Sequence, residues 1–132
     1  MDFLEFRFAF YAQNFARSVS FYRDTLGMKL TGGWDRPDGK GALLTANSGS
    51  VIEIYGAAEG KAYTGPRPVA LNLALRLAQP ADVDNFYEKL VSAGVQVAGP
   101  PENRIWGHRS FVIIDPDRIP VHIYCELNQE EI

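Results

Sequence analysis

The sequence predicts an α+β fold made of two βαβββ modules in tandem, and three observations point to it. The same order of patterns occurs twice: an alternating apolar strand, an amphipathic helix stopped by glycine, then further strands. The two copies keep phase, because Phe21-Tyr22 and Phe86-Tyr87 stand 65 positions apart and the same offset sets Arg7 on Asn72 and Ala9 on Ala74. Between them, residues 57–68 are rich in Gly, Ala and Pro, the composition of a linker. The expected organisation is one domain over 1–132, with module one at 1–56, the linker at 57–68 and module two at 69–132.

Each element has its own signal. Phe6, Phe8 and Phe10 alternate as a strand, and the segment containing Ser20-Phe21-Tyr22 is a helix ended by Leu26-Gly27. Strands then follow over 29–34, 41–46 and 50–55, separated by the Pro37-Asp38-Gly39 and Asn47-Ser48-Gly49 turns. In module two, Leu71, Leu73, Leu75 and Leu77 alternate as a strand, residues 82–93 form a helix, and Gly94 stops it. Strands are expected over 95–98, 108–114 and 120–125, the last two joined by the Asp115-Pro116-Asp117 turn. A ferredoxin-like sandwich is the competing arrangement, but it uses its helices differently and needs fewer strands.

Composition narrows the function. The 132 residues carry a net charge of −3, with no Lys/Arg cluster, so no basic stripe is available for a nucleic-acid backbone. Cys125 is the single cysteine, which excludes an intramolecular disulfide and a multi-thiolate metal site and suits a reducing compartment. The opening MDFLEFRFAF alternates where a signal peptide would be basic and then continuously apolar, and no run approaches the roughly 18 residues of a membrane span. A cytoplasmic protein with neither nucleic-acid nor membrane partners is expected.

Period-two alternation assigns side chains to faces. Phe6, Phe8, Phe10, Ile52, Ile54, Leu71, Leu73, Leu75, Leu77, Val121 and Ile123 share the apolar phase that should pack beneath the helices. Arg7, Ala9, Glu53, Tyr55, Asn72, Ala74, Arg76, His122 and Tyr124 take the other phase. A solvated face would favour Lys and flexible acids, whereas this set holds two tyrosines and a histidine, as a concave ligand-binding surface would.

The segments Arg17-Ser18-Val19-Ser20-Phe21-Tyr22-Arg23-Asp24-Thr25-Leu26-Gly27, Trp106-Gly107-His108-Arg109 and Phe111-Val112-Ile113-Ile114-Asp115-Pro116-Asp117 resemble, in order, three signatures of the glyoxalase/bleomycin-resistance/extradiol-dioxygenase (vicinal oxygen chelate) superfamily. That resemblance covers nearly the whole chain. It implies a half-barrel of two modules, often a homodimer, and no single reaction, because the superfamily spans isomerases, epimerases, dioxygenases, thiol transferases and non-catalytic binding proteins. Its catalytic members hold a divalent metal at four places that fall here on Arg7, Glu53, Asn72 and His122. Glu53 and His122 are competent ligands and Asn72 a weak one, but Arg7 stays protonated and has no lone pair to give.

Two readings follow. In the first, the metal site is degenerate, no cofactor is needed, Arg7 pairs with Glu53, and a small organic ligand is held by Arg7, Glu53, Tyr55, Asn72, Arg76, Trp106, His122 and Tyr124. In the second, Glu53 and His122 hold Fe, Mn, Ni or Zn in a lyase, isomerase or dioxygenase acting on vicinal oxygens, with His108 or Tyr55 moving protons. A module whose polar face serves a protein partner is a third arrangement. Trp34 and Trp106 occupy similar places in the modules and would stack on a flat ligand, although core or dimer packing accounts for them equally. Arg118-Ile119 replaces the Gly-Asn that usually follows Asp-Pro-Asp in this superfamily, so its left-handed turn must be built otherwise or under strain. Cys125, on the apolar phase, reads as a buried thiol.

Overall fold

The computed structural model describes residues 1–67 and 70–128. Contacts divide the chain into two compact units, Met1–Pro68 and Val69–Ile132, each holding one four-stranded sheet and one helical segment. The tandem βαβββ organisation is present. No helix among the described residues is long and apolar enough to cross a membrane.

In the first unit, β1 (Arg7–Tyr11), β4 (Val51–Gly56), β3 (Gly39–Thr45) and β2 (Lys29–Arg36) lie side by side in that order. The β1–β4 pair is parallel and the other two are antiparallel. Parallel pairing of the first and last strands requires a crossover, which the helical segment supplies. That segment begins as α1 (Phe15–Ser20), where the Asn14 side chain accepts from Arg17 N at 3.1 Å, a cap that satisfies an orphan amide. It continues as a π-helical turn over Phe21–Thr25, and Gly27, at φ 78°, turns the chain out. Ser18, Val19, Phe21 and Tyr22 are buried on the apolar side of the sheet with Phe10, Ala42, Leu44, Ile52 and Ile54.

The second unit repeats the order as β5 (Leu73–Arg76), β8 (Pro120–Glu126), β7 (His108–Ile114) and β6 (Glu102–Asn103), again with only the first pair parallel. Its crossover is α2 (Pro80–Ser92), with Pro80 in the first turn and Asp82 reaching back to accept from Gln79 N at 3.1 Å. Val83 and Leu90 are fully buried, and Phe86 and Tyr87 meet Phe111 with ring centroids 6.5 and 5.5 Å away. Arg109 ties β7 to α2 through Asp84 at 2.9 Å.

Several expectations need correction. The strand expected over 95–98 reduces to one bridge, Val97 to Ile113, and the short β6 takes the edge place instead. Residues 98–101 include Gly99 at φ 125° and two prolines, Pro100 and Pro101, which interrupt a ladder. Phe6 precedes β1 and is 80% exposed, and Leu71 precedes β5 and is 40% exposed, so neither joins the buried face. Asn72 also lies outside β5. The second helix starts two residues earlier than expected because Pro80 suits a first helical position. Gly39 is the first residue of β3 instead of part of the turn.

Candidate functional site

Pairing register places the polar residues of the first unit in rungs. Residues paired across strands share a face, and diagonal neighbours remain within reach of long side chains. One rung runs Arg7, Val51, Thr45 and Lys29. The next runs Ala9, Glu53, Leu43 and Gly32. The third runs Tyr11, Tyr55, Gly41 and Trp34. In the middle rung Glu53 therefore lies between Ala9 and Leu43, the Leu43 side chain covers Gly32, and an aromatic wall stands on one side.

The wall is built by a glycine. A Cβ on Gly41 would lie 2.2 to 2.6 Å from three carbons of the Trp34 ring, so the indole lies over Gly41 and reaches Tyr55 at a centroid distance of 5.9 Å. Tyr55 meets Tyr11 at 4.9 Å, and Tyr11 stacks on Tyr63 of the linker at 4.8 Å. The Arg36 guanidinium lies 5.4 Å from the Trp34 centroid.

Glu53 is the chemical centre of this face. Its side chain is 13% exposed, and its two oxygens have different partners. The Tyr55 hydroxyl donates to Oε1 at 3.0 Å, while Arg7 Nη1 stands 3.5 Å from Oε2. Arg7 reaches Glu53 diagonally, since its direct cross-strand neighbour is Val51. The guanidinium is also paired through Nε with Glu5, just upstream of the strand. The bond to Glu53, followed by burial and the carboxylate charge, pushes the Tyr55 phenol above its ordinary 10.0. A phenol so held donates to Glu53 throughout the neutral range.

The polar face of the second unit is arranged by the same register. Ala74 faces His122 as Ala9 faces Glu53, and Val112 flanks His122 on the other side. Tyr124, two residues on, stacks on His108 with centroids 4.4 Å apart and planes at 21°. His108 is half-buried and begins β7, where the strand was expected to start. Arg76 forms an exposed pair with Glu126 at 3.5 Å. Trp106 is 65% exposed in the turn before β7, and Asn72 is exposed. Arg104 donates to Ser110 Oγ at 3.0 Å and to Glu102 at 2.8 Å.

Within the first unit the structure joins Arg7, Glu53 and Tyr55; within the second it places Arg76, His122 and Tyr124 on neighbouring strands. Sequence reasoning missed Glu5, Tyr11, Tyr63 and Arg104. Tyr11 continues the phase of Arg7 and Ala9, so extending that strand by one residue would have found it. Glu5 lies before the strand, Tyr63 in the linker and Arg104 in a turn, where no periodicity speaks.

Around Glu53 the donor set fits a metal centre poorly, because one oxygen faces Arg7 and the other accepts from Tyr55. Among the described residues, no three of His, Cys, Asp and Glu come together. A divalent ion beside Glu53 would also meet the Arg7 charge. Solvent at the 40% exposed Arg7 side chain screens that repulsion without removing it.

A family model of the Glyoxalase/Bleomycin resistance protein/Dioxygenase superfamily matches residues 6–123. The chain belongs to this superfamily. No curated protein matches it. Solved structures of the superfamily share its fold at low identity. A glyoxalase/bleomycin resistance protein/dioxygenase from Nocardioides is 20% identical with a TM-score of 0.73, over 98% of this chain and 86% of the other. The fosfomycin resistance protein FosX of Listeria monocytogenes is 15% identical with a TM-score of 0.72, over 100% of both chains. A lactoylglutathione lyase from Agrobacterium tumefaciens is 17% identical with a TM-score of 0.66, over 90% of both chains.

Proposed function

We propose that this superfamily member binds a small organic ligand on the polar sheet face of module one, with Glu53 as anchor and no metal at that position. The observation behind this reading is the Arg7–Glu53–Tyr55 constellation. A guanidinium takes the carboxylate oxygen a metal would need, and a phenol takes the other. The small Ala9 on one side of Glu53 and the aromatic wall along the next rung support a ligand there. Asn72, Arg76, Trp106, His122 and Tyr124 of module two are proposed as further ligand-facing residues. The protein is proposed to act as a homodimer in the cytoplasm.

The test combines elemental analysis of untagged protein with thermal melts against a panel of small molecules, divalent metals and a chelator. Less than 0.1 equivalent of metal is expected, and an organic ligand at a hundredfold its Kd should add about 2.7 kcal/mol, or roughly 10 °C for a chain of this size. Glu53→Gln should remove that shift. Near-stoichiometric Fe, Mn, Ni or Zn, with a melting temperature that falls in chelator, would overturn this reading in favour of a metal-dependent lyase, isomerase or dioxygenase. A solution mass of one chain would refute the dimer.

A further inference from the structure

We propose that the ligand is an aromatic cation and that Arg7 is its built-in competitor, holding Glu53 in the free protein and retiring onto Glu5 when the ligand arrives. This rests on the binding reading above and adds the ligand class and the device that selects it.

Charge is the first ground. Glu5, Glu53 and Arg7 together carry one net negative charge, so the constellation lacks one cation. The second ground is the loose hold of Arg7 on Glu53. Its Nη1 stands 3.5 Å from Glu53, well beyond the 2.7–2.9 Å usual for a charge-assisted bond, while Nε pairs with Glu5. The Glu53 contact is long and is the one to yield. Because Glu5 keeps its hold, Arg7 can leave without becoming an unpaired charge.

The two oxygens of Glu53 divide the work. Tyr55 donates to Oε1 and orients the carboxylate, and Oε2 becomes free when Arg7 departs. A ligand guanidinium or amidinium takes that oxygen in place of the protein's own. Next to it, Ala9 keeps the floor low, and Tyr55, Tyr11 and Trp34 offer aromatic rings to a flat cation. An anion would meet an oriented carboxylate here, and a neutral isostere would leave Glu53 to Arg7.

The experiment is calorimetric titration of the full chain with phenylguanidinium, its neutral isostere phenylurea and benzoate. Phenylguanidinium is expected to bind and the other two to bind at least tenfold more weakly. Arg7→Met should strengthen phenylguanidinium binding about tenfold, because the competitor is gone. Glu5→Gln should weaken it severalfold in the wild-type background and change nothing in the Arg7→Met background. That dependence separates a berth for Arg7 from a direct ligand contact. Arg7 and Glu5 are each at least 40% exposed at their side chains, and a melting curve for each variant confirms the fold. Weaker binding in Arg7→Met, or an effect of Glu5→Gln that persists without Arg7, would overturn the inference. Binding of phenylurea or benzoate in preference to phenylguanidinium would overturn it while leaving small-molecule binding intact. Absence of binding by all three overturns it as well, and the wider melting panel then decides the broader reading.

Discussion

Replacing Arg118 by glycine should stabilise the protein. The β7–β8 hairpin closes through a three-residue loop, Pro116-Asp117-Arg118, in which Arg118 N donates to Asp115 O at 3.0 Å and Asp115 N to Ile119 O at 3.0 Å. Asp115 Oδ1 further accepts from Asp117 N at 2.8 Å and Ile119 N at 2.7 Å, so the loop is fastened from inside. A loop of this length ends in a left-handed residue, and Arg118 has φ 65°. The left-handed conformation costs a side-chain-bearing residue roughly 1–2 kcal/mol. Glycine removes that cost but gives back about 0.4–1 kcal/mol through the greater freedom of the unfolded chain. The net gain is about 0.5–1 kcal/mol. With an unfolding entropy of about 0.28 kcal/mol/K for this length, the melting temperature should rise about 2–4 °C. Calorimetric melts of wild type, Arg118→Gly and Arg118→Ala measure this. Alanine removes the same exposed guanidinium but keeps the backbone cost, so it should bring no gain. If glycine is no more stable than alanine, the left-handed turn is not strained and this reasoning fails.

Gly41→Ala should push the Trp34 indole off its seat. The clashing atoms are the far end of a side chain that can swing outward, so the cost should be only about 1–2 kcal/mol, from lost ring packing, with a clear change in Trp34 fluorescence in a Trp106→Phe background. An unchanged spectrum would mean that the indole does not lie there. Because its phenol is raised by Glu53, Tyr55 should contribute stability that is fully present below the ordinary 10.0 and lost as the pH climbs through its higher folded value. Absorbance at 295 nm, wild type minus Tyr55→Phe, should show one phenol titrating late and returning toward 10.0 in Glu53→Gln; titration at 10.0 in both refutes the bond. Leu44, fully buried, should cost about 3–5 kcal/mol as alanine by chemical denaturation, and a cost below 1 kcal/mol would contradict its placement in the core. Cys125, also fully buried, should react with a thiol reagent only at the rate of unfolding.

Much of the fold was legible because each module buries a single apolar phase. Phe10, Ile54, Val121 and Ile123 could be assigned inward from alternation alone, and the repeated helix and stop glycine fixed the module order. Strand ends were less legible. Phe6 and Leu71 continue the apolar phase beyond the last rung of pairing, and nothing in a two-residue period says where a partner strand stops. The missing strand near Val97 failed for a different reason: three alternating residues look like strand, but the prolines and Gly99 that follow deny it a ladder. At the site, Arg7, Glu53 and Tyr55 could be brought together from phase and motif. Their surroundings could not, because these depend on which residues are opposite one another. Ala9 and Leu43 matter only as the cross-strand neighbours of Glu53, and Gly41 only as the seat of Trp34.

The parallel pairing of β1 with β4, and of β5 with β8, bears on how the protein is made. Arg7 meets Val51 and Leu73 meets Val121, partners that lie more than forty residues apart in each case. At 5–20 residues per second a ribosome needs roughly 2 to 10 s to deliver the second strand of each pair, whereas the intervening hairpin can form within about 10 μs of its emergence. During that interval Phe8 and Phe10 have no sheet to join, and the anchor carboxylate of module one has not yet been made. The sheet of each module should therefore close last at its opening strand, which waits unpaired while the hairpin beside its place is already formed.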